Sequence, residues 1–132
     1  MQSSLKGLGA LTLFVRDLPT ARSFYGDVFG LNLIFEDESS AVFDFGNTVI
    51  NLLVIGEAPE LVAPATVVAG GADGVRSLLT IWVDDVEALC ADLQQRGVVL
   101  INGPIDRVWG KRTAAFADPD GNIWEIAQDL PA

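Results

Sequence analysis

LTLFVRDLPTARSFYGDVFG, residues 11–30, and LLTIWVDDVEALCADLQQRG, residues 78–97, decide the fold. Placing Val15 on Val83 sets an offset of 68, and Asp17 then falls on Asp85, Leu18 on Val86, Ala21 on Leu89 and Tyr25 on Leu93. Each stretch opens with an apolar run rich in β-branched and aromatic residues, which predicts a strand, and then passes through an aspartate into a helical pattern. Leu18, Ala21, Tyr25 and Val28 make one apolar stripe, and Val86, Leu89, Cys90 and Leu93 make the other. Asp17 and Asp85 are expected to cap the helices by accepting from free first-turn N–H groups. Gly30 and Gly97 stand near the helix ends, where a left-handed residue is often required.

Outward from these stretches, short apolar runs broken by turn residues predict further strands: Leu31 to Phe35, Ala41 to Phe45 and Thr48 to Val54, then Val98 to Ile101, Thr113 to Ala117 and Ile123 to Ala127. Glu36, Asp37 and Glu38 before Ser39-Ser40 read as a hairpin turn. Each half is therefore βαβββ, a unit too small to bury its sheet and helix alone. The expected fold is α+β, one domain over 1–132, with modules at 8–55 and 76–130. The connector at 56–75 has two prolines, four glycines and no aromatic residue. A coincidental pattern within a single α+β domain is the plain alternative to a repeat.

Composition removes several functions. The 132 residues contain no histidine, which excludes Ser-His-Asp and Cys-His catalysis within one chain and removes the commonest transition-metal ligand. Cys90 is the only cysteine, so neither an intrachain disulfide nor a cysteine zinc cage can form, and a reducing cytoplasm is the expected compartment. Eight Lys and Arg against 18 Asp and Glu give a net charge of −10. No basic face for nucleic acid is expected, acidic membrane surfaces repel the chain, and cationic guests are favoured at low salt. The apolar run Gly7 to Val15 imitates a signal-peptide core, but no small-residue cleavage site follows it. Gly7-x-Gly9 is a poor dinucleotide fingerprint, and Gly70-Gly71-x-x-Gly74 lacks the Lys-Ser/Thr of a phosphate loop.

The second half ends FADPDGNIWEIAQ, a strand, an Asp-Pro-Asp-Gly turn and a strand carrying a glutamate. With the two strand–Val-x-Asp–helix openings and FYGDVFGL, it resembles the glyoxalase/bleomycin resistance/dioxygenase superfamily, the vicinal oxygen chelate fold, over nearly the whole chain. The resemblance implies two βαβββ modules forming curved mixed sheets around a cavity, often completed by a homodimer. It also implies a divalent metal held by four inward side chains, whose places fall on Ala10, Asn51, Leu78 and Glu125. Alanine and leucine donate no lone pair, asparagine is a weak ligand, and one carboxylate cannot hold a catalytic ion. No metal or other cofactor is expected. In pattern the chain is similar to the metal-free, antibiotic-binding branch.

Alternation then places Thr12 and Phe14 beside Ala10, Thr80 and Trp82 beside Leu78, Val49 and Leu53 beside Asn51, and Ile123 and Ala127 beside Glu125. The result is an apolar concavity with an aromatic wall and a few polar anchors, suited to a planar or amphipathic guest. In RVWGKR, residues 107–112, Trp109 on a Gly-flanked loop is expected to stack over a bound ring and Arg112 to anchor a carbonyl or carboxylate. The expected ligand-binding set is Phe14, Asn51, Thr80, Trp82, Trp109, Arg112 and Glu125. Core filling is the alternative for Phe14 and Trp82, loop packing for Trp109, and an acidic partner for Arg112. The leading functional reading is a cytoplasmic, homodimeric protein that sequesters an aromatic antibiotic or metabolite, with a cation favoured by charge. The alternatives are a metal-independent lyase, isomerase or hydrolase of a small carbonyl compound with Glu125 as general base, and a regulatory or assembly domain whose cavity is only core.

Overall fold

The computed structural model describes residue 4 and residues 6–67, 74–75 and 77–131. It is α+β. The order is β1 (Leu11–Val15), α1 (Leu18–Ser23) continued by a π-helical turn (Phe24–Val28), β2 (Asn32–Glu36), β3 (Ser40–Asp44), β4 (Val49–Val54), a 3-10 turn (Ile55–Glu57), α2 (Ala58–Val62), β5 (Leu78–Trp82), α3 (Val86–Gln95), β6 (Leu100–Arg107), β7 (Lys111–Ala117) and β8 (Ile123–Asp129). The chain divides into two compact units, Met1–Val68 and Ala69–Ala132.

In the first unit the sheet order is β1-β4-β3-β2, with β1 parallel to β4 and the other pairs antiparallel. One face takes the helix. Leu13, Val15, Ala41, Phe43, Ile50 and Leu52 are buried there with Ala21, Phe24 and Tyr25. The helix starts where Asp17 accepts from the Thr20 N–H at 3.2 Å. Phe24 packs edge-on against Tyr25 at 5.1 Å, and Tyr25 edge-on against Phe29 at 5.1 Å, within reach of the wide π turn. Phe24, absent from the stripe read from the sequence, is buried beside Tyr25 at the start of the π turn. The hairpin turn before β3 forms as expected. Asp37 accepts from the Ser39 N–H, the Ser40 N–H and the Ser40 hydroxyl at 2.9, 2.8 and 3.0 Å, and these bonds hold its carboxyl below the usual carboxylate range.

The second unit repeats the topology as β5-β8-β7-β6, with β5 parallel to β8. Val86, Cys90 and Leu93 of α3 are buried along with Ala114, Phe116, Trp124 and Ile126 of the sheet. Burial pushes the Cys90 thiol pKa up, so the group is a packed, protonated thiol. Asp85 caps α3 through the Ala88 N–H at 3.0 Å, and Gln128 accepts from the Val86 N–H at 2.7 Å. Gly30 and Gly97 adopt φ +70° and +88°, as the helix ends required. The DPDG turn closes on Asp118, which accepts from the N–H groups of Asp120 and Asn122 and from the Asn122 amide, each at 2.9 Å.

Two expectations are corrected. The strand expected over Val98 to Ile101 runs instead from Leu100 to Arg107. The strand continues through Gly103-Pro104 because β6 is an edge strand, where proline leaves no ladder donor missing, and register shifts between Leu100 and Ile105 absorb it. The connector is also more structured at its start than a bare linker, since α2 occupies Ala58–Val62. Its Gly70 and Gly71 lie outside the described residues.

Candidate functional site

The sheet faces turned away from the helices carry Phe14 and Asn51 in the first unit and Thr80, Trp82 and Glu125 in the second. In the second unit the pairing sets Leu78 beside Ile123, Thr80 beside Glu125 and Trp82 beside Ala127, then Ala115 beside Glu125, Thr113 beside Ala127 and Lys111 beside Asp129. Alternation therefore puts Thr80, Trp82, Glu125, Lys111 and Thr113 on one face. Thr80 donates its hydroxyl to Glu125 Oε1 at 2.9 Å. Trp82 is 72% exposed, and Lys111 sets its ammonium 5.3 Å from the indole centroid while pairing with Asp129. A cation over an exposed indole is worth about 0.5–1 kcal/mol.

The β6–β7 hairpin extends this face. Arg107 is the ladder partner of Lys111. Its Nε donates to the Thr113 hydroxyl at 3.0 Å, and Thr113 is only 2% exposed. Its guanidinium carbon lies 5.7 Å from the centroid of Trp109, which sits in the hairpin turn and is 64% exposed. Two indole–cation stacks thus stand side by side across one rung of the ladder. Sequence reading misses Arg107 and Lys111 because it starts the strand at Thr113 and leaves RVWGKR outside it. The signal was available: a strand pair closing on Val108-Trp109-Gly110 puts residues 107 and 111 opposite each other.

Arg112 is placed elsewhere. It alternates with Lys111 and Thr113, so its side chain emerges on the helix side. Its Nε and Nη2 donate to Asp106 at 2.7 and 3.3 Å, and Nη1 lies 3.6 Å from Glu87 of α3. The acidic-partner alternative describes it. This pairing raises the guanidinium pKa further and holds the Asp106 carboxyl below its usual range. Arg112 does not share a face with Trp82 and Glu125.

In the first unit, Asn51 donates to the Thr12 hydroxyl at 3.4 Å across the same rung that joins Thr80 to Glu125 in the second. Phe14 follows Thr12 on that face and is half-buried. The four places implied for a metal fit it poorly. Ala10 and Leu78 offer no lone pair, Asn51 is bonded to Thr12, and among the described residues no group of three or more His, Cys, Asp or Glu stands together to hold an ion.

The chain belongs to the Glyoxalase/Bleomycin resistance protein/Dioxygenase superfamily, which it matches over residues 7–126. It is 37% identical over 123 residues to the protein YraH of Bacillus subtilis (strain 168), covering 91% of this chain and 96% of that one. It is 27% identical over 125 residues to the metallothiol transferase FosB of Lysinibacillus sphaericus (strain C3-41), covering 93% and 82%. The structure of TnmS3, an antibiotic binding protein from Streptomyces sp. CB03234, superposes with a TM-score of 0.73 at 25% identity, over 97% of this chain and 99% of that one.

Proposed function

We propose that the protein binds and sequesters an aromatic small molecule, an antibiotic or a metabolite, without chemical turnover. The observation that carries this reading is the pair of exposed indoles, Trp82 and Trp109, each backed by a cation on the helix-free side of the second sheet. An indole left in water in the free protein offers a rigid stacking plane at little entropic cost, which suits a planar guest. Likeness to an antibiotic binding protein supports the reading. So does a donor set that lacks what a divalent ion needs. No helix among the described residues is long and apolar enough to cross a membrane. A cytoplasmic location is part of the proposal, in keeping with a lone, buried thiol.

A homodimer belongs to the same reading. Edge strand β2 exposes all five of its residues, Leu33, Ile34 and Phe35 among them, and an apolar strand edge of this kind favours pairing with a second copy.

The test is a titration of tryptophan emission with bleomycin and mitomycin C. Saturable quenching that shrinks in Trp82→Phe and Trp109→Phe supports the proposal; a flat response to both compounds overturns it for this ligand class. The enzymatic reading has one specific observation behind it, the Thr80–Glu125 hydrogen bond on the same face, which orients a carboxylate toward a guest. Turnover of a small carbonyl compound that Glu125→Gln abolishes would replace sequestration with that reading.

A further inference from the structure

Arg107 stands apart from the other cations on its sheet. Lys111 pairs with Asp129, and Arg112 with Asp106 and Glu87. Among the described residues no carboxylate lies within ion-pair distance of Arg107, although the chain has 18 acidic residues against eight basic ones. Chance placement in so acidic a chain favours a pairing. Its two contacts are the Thr113 hydroxyl, which takes Nε, and the face of Trp109. Both fix the guanidinium in position without neutralising it. Thr113 is buried, so its hydrogen bond to Nε is shielded from competing water, and the Trp109 ring adds a cation–π contact at 5.7 Å. With Nε engaged, the two Nη groups have no acceptor among the described residues. A guanidinium in this state presents parallel N–H donors matched to a planar two-oxygen anion.

We propose that Arg107 is an anion anchor, so the guest of the two indoles is an aromatic carboxylate whose ring stacks on Trp109 or Trp82 while its carboxylate takes the Arg107 fork. This rests on the binding function proposed above and specifies its ligand. It reverses the preference suggested by the net charge. The charge of −10 acts at long range and is screened within about 10 Å at 0.1 M salt, whereas the fork acts in contact. Asp129 already balances Lys111, so the uncompensated positive charge beside the indoles belongs to Arg107.

Isothermal titration with three probes of one shape tests this: 1-naphthoate, the neutral 1-naphthamide and the cationic 1-naphthylmethylamine. The wild-type protein is expected to bind naphthoate at least tenfold more tightly than the other two. Arg107→Gln should bring naphthoate to within twofold of the amide, and Arg107→Lys should leave part of the preference, since it keeps the charge and loses the fork. Arg96→Gln, which removes one positive charge at the C-cap of α3, should leave the preference intact. Equal binding of all three probes to wild type, or an equal loss of preference in Arg96→Gln, overturns the anchor while the stacking function stands. Failure of all three to bind overturns both. Because the wild-type comparison needs no substitution, a poorly folding variant does not shelter the proposal.

Discussion

The β2–β3 hairpin of the first unit and the β6–β7 hairpin of the second occupy the same place in a repeated topology, yet they carry opposite charge. Glu36, Asp37 and Glu38 close the first, and Asp37 is satisfied by backbone N–H groups and a serine hydroxyl. Arg107 and Lys111 flank the second, and each turns its charge to an indole. The helix caps, the left-handed glycines and the threonine rung are common to both units. At the position after that rung, the half-buried Phe14 of one unit becomes the largely exposed Trp82 of the other. The repeat keeps the caps, the glycines and the threonine rung and varies other side chains that face away from the helix. The exposed indoles and the cations beside them accordingly collect on one unit rather than being shared equally between two.

The largest expected effect concerns the edge strand that leads into the second hairpin. A methyl group on Gly103 would stand 2.4 Å from the Thr113 carbonyl oxygen and 2.6 Å from the Ala114 Cα, at φ +91°. Both neighbours are backbone in the next strand, so neither can rotate away. Gly103→Ala should cost about 3 kcal/mol by chemical denaturation, from overpacking added to a strained φ. Gly30, at φ +70° with nothing near the methyl position, should lose about 1 kcal/mol as alanine. If the two substitutions cost the same, β7 does not pack against β6 in this way, and the placement of Arg107 beside Lys111 goes with it.

Phe14 and Trp82 should part company when each is cut to alanine. Phe14→Ala is expected to cost about 2 kcal/mol, since a half-buried ring loses roughly half the contacts of a core phenylalanine. Trp82→Ala should change stability by no more than about 0.5 kcal/mol, because so exposed an indole gives up little burial, and it should instead weaken binding of 1-naphthoate. Urea melts and titration of the same two proteins check both halves. A large stability loss at Trp82 would make it core, the alternative that the sequence left open.

Much of the fold is legible in the sequence because the repeat states it twice. Asp17 and Asp85, Gly30 and Gly97, and the DPDG turn each have a local cause that reads directly from residue type. The misread parts have local causes too. Pro104 is a strand breaker only where its N–H would have been needed, and an edge position removes that need. Starting β7 at Thr113 instead of Lys111 left Arg112 without a strand, so alternation could not assign it to the helix side. Arg107 was hidden for the same reason, at the other end of the hairpin. Thr80 was legible by alternation along its strand and Glu125 by the DPDGN-x-x-E segment, and the ladder sets the two side by side.

The smallest expected effect separates the hairpins by the source of their stabilisation. Asp37 and Asp106 both have carboxyl pKa values below the ordinary 3.8, the first chiefly through the Ser39 N–H and the second chiefly through the Arg112 guanidinium. A folded-state value that is depressed means that the unfolded chain takes up the proton more readily, so acid favours unfolding. Each carboxylate therefore adds stability that is complete above the unfolded value and is lost as pH falls below it and through the folded value. Asp37→Asn and Asp106→Asn should each be slightly less stable than wild type at pH 7, and the deficits should close as the pH drops below about 3.8. Salt should distinguish them. The Asp106–Arg112 pair is an exposed ion pair, and raising ionic strength at pH 7 should shrink its deficit. The hydrogen bonds at Asp37 come from neutral backbone and hydroxyl donors, so its deficit should barely respond. Equal salt sensitivity of the two variants would mean that both hairpins are held by charge, and would remove the contrast between them.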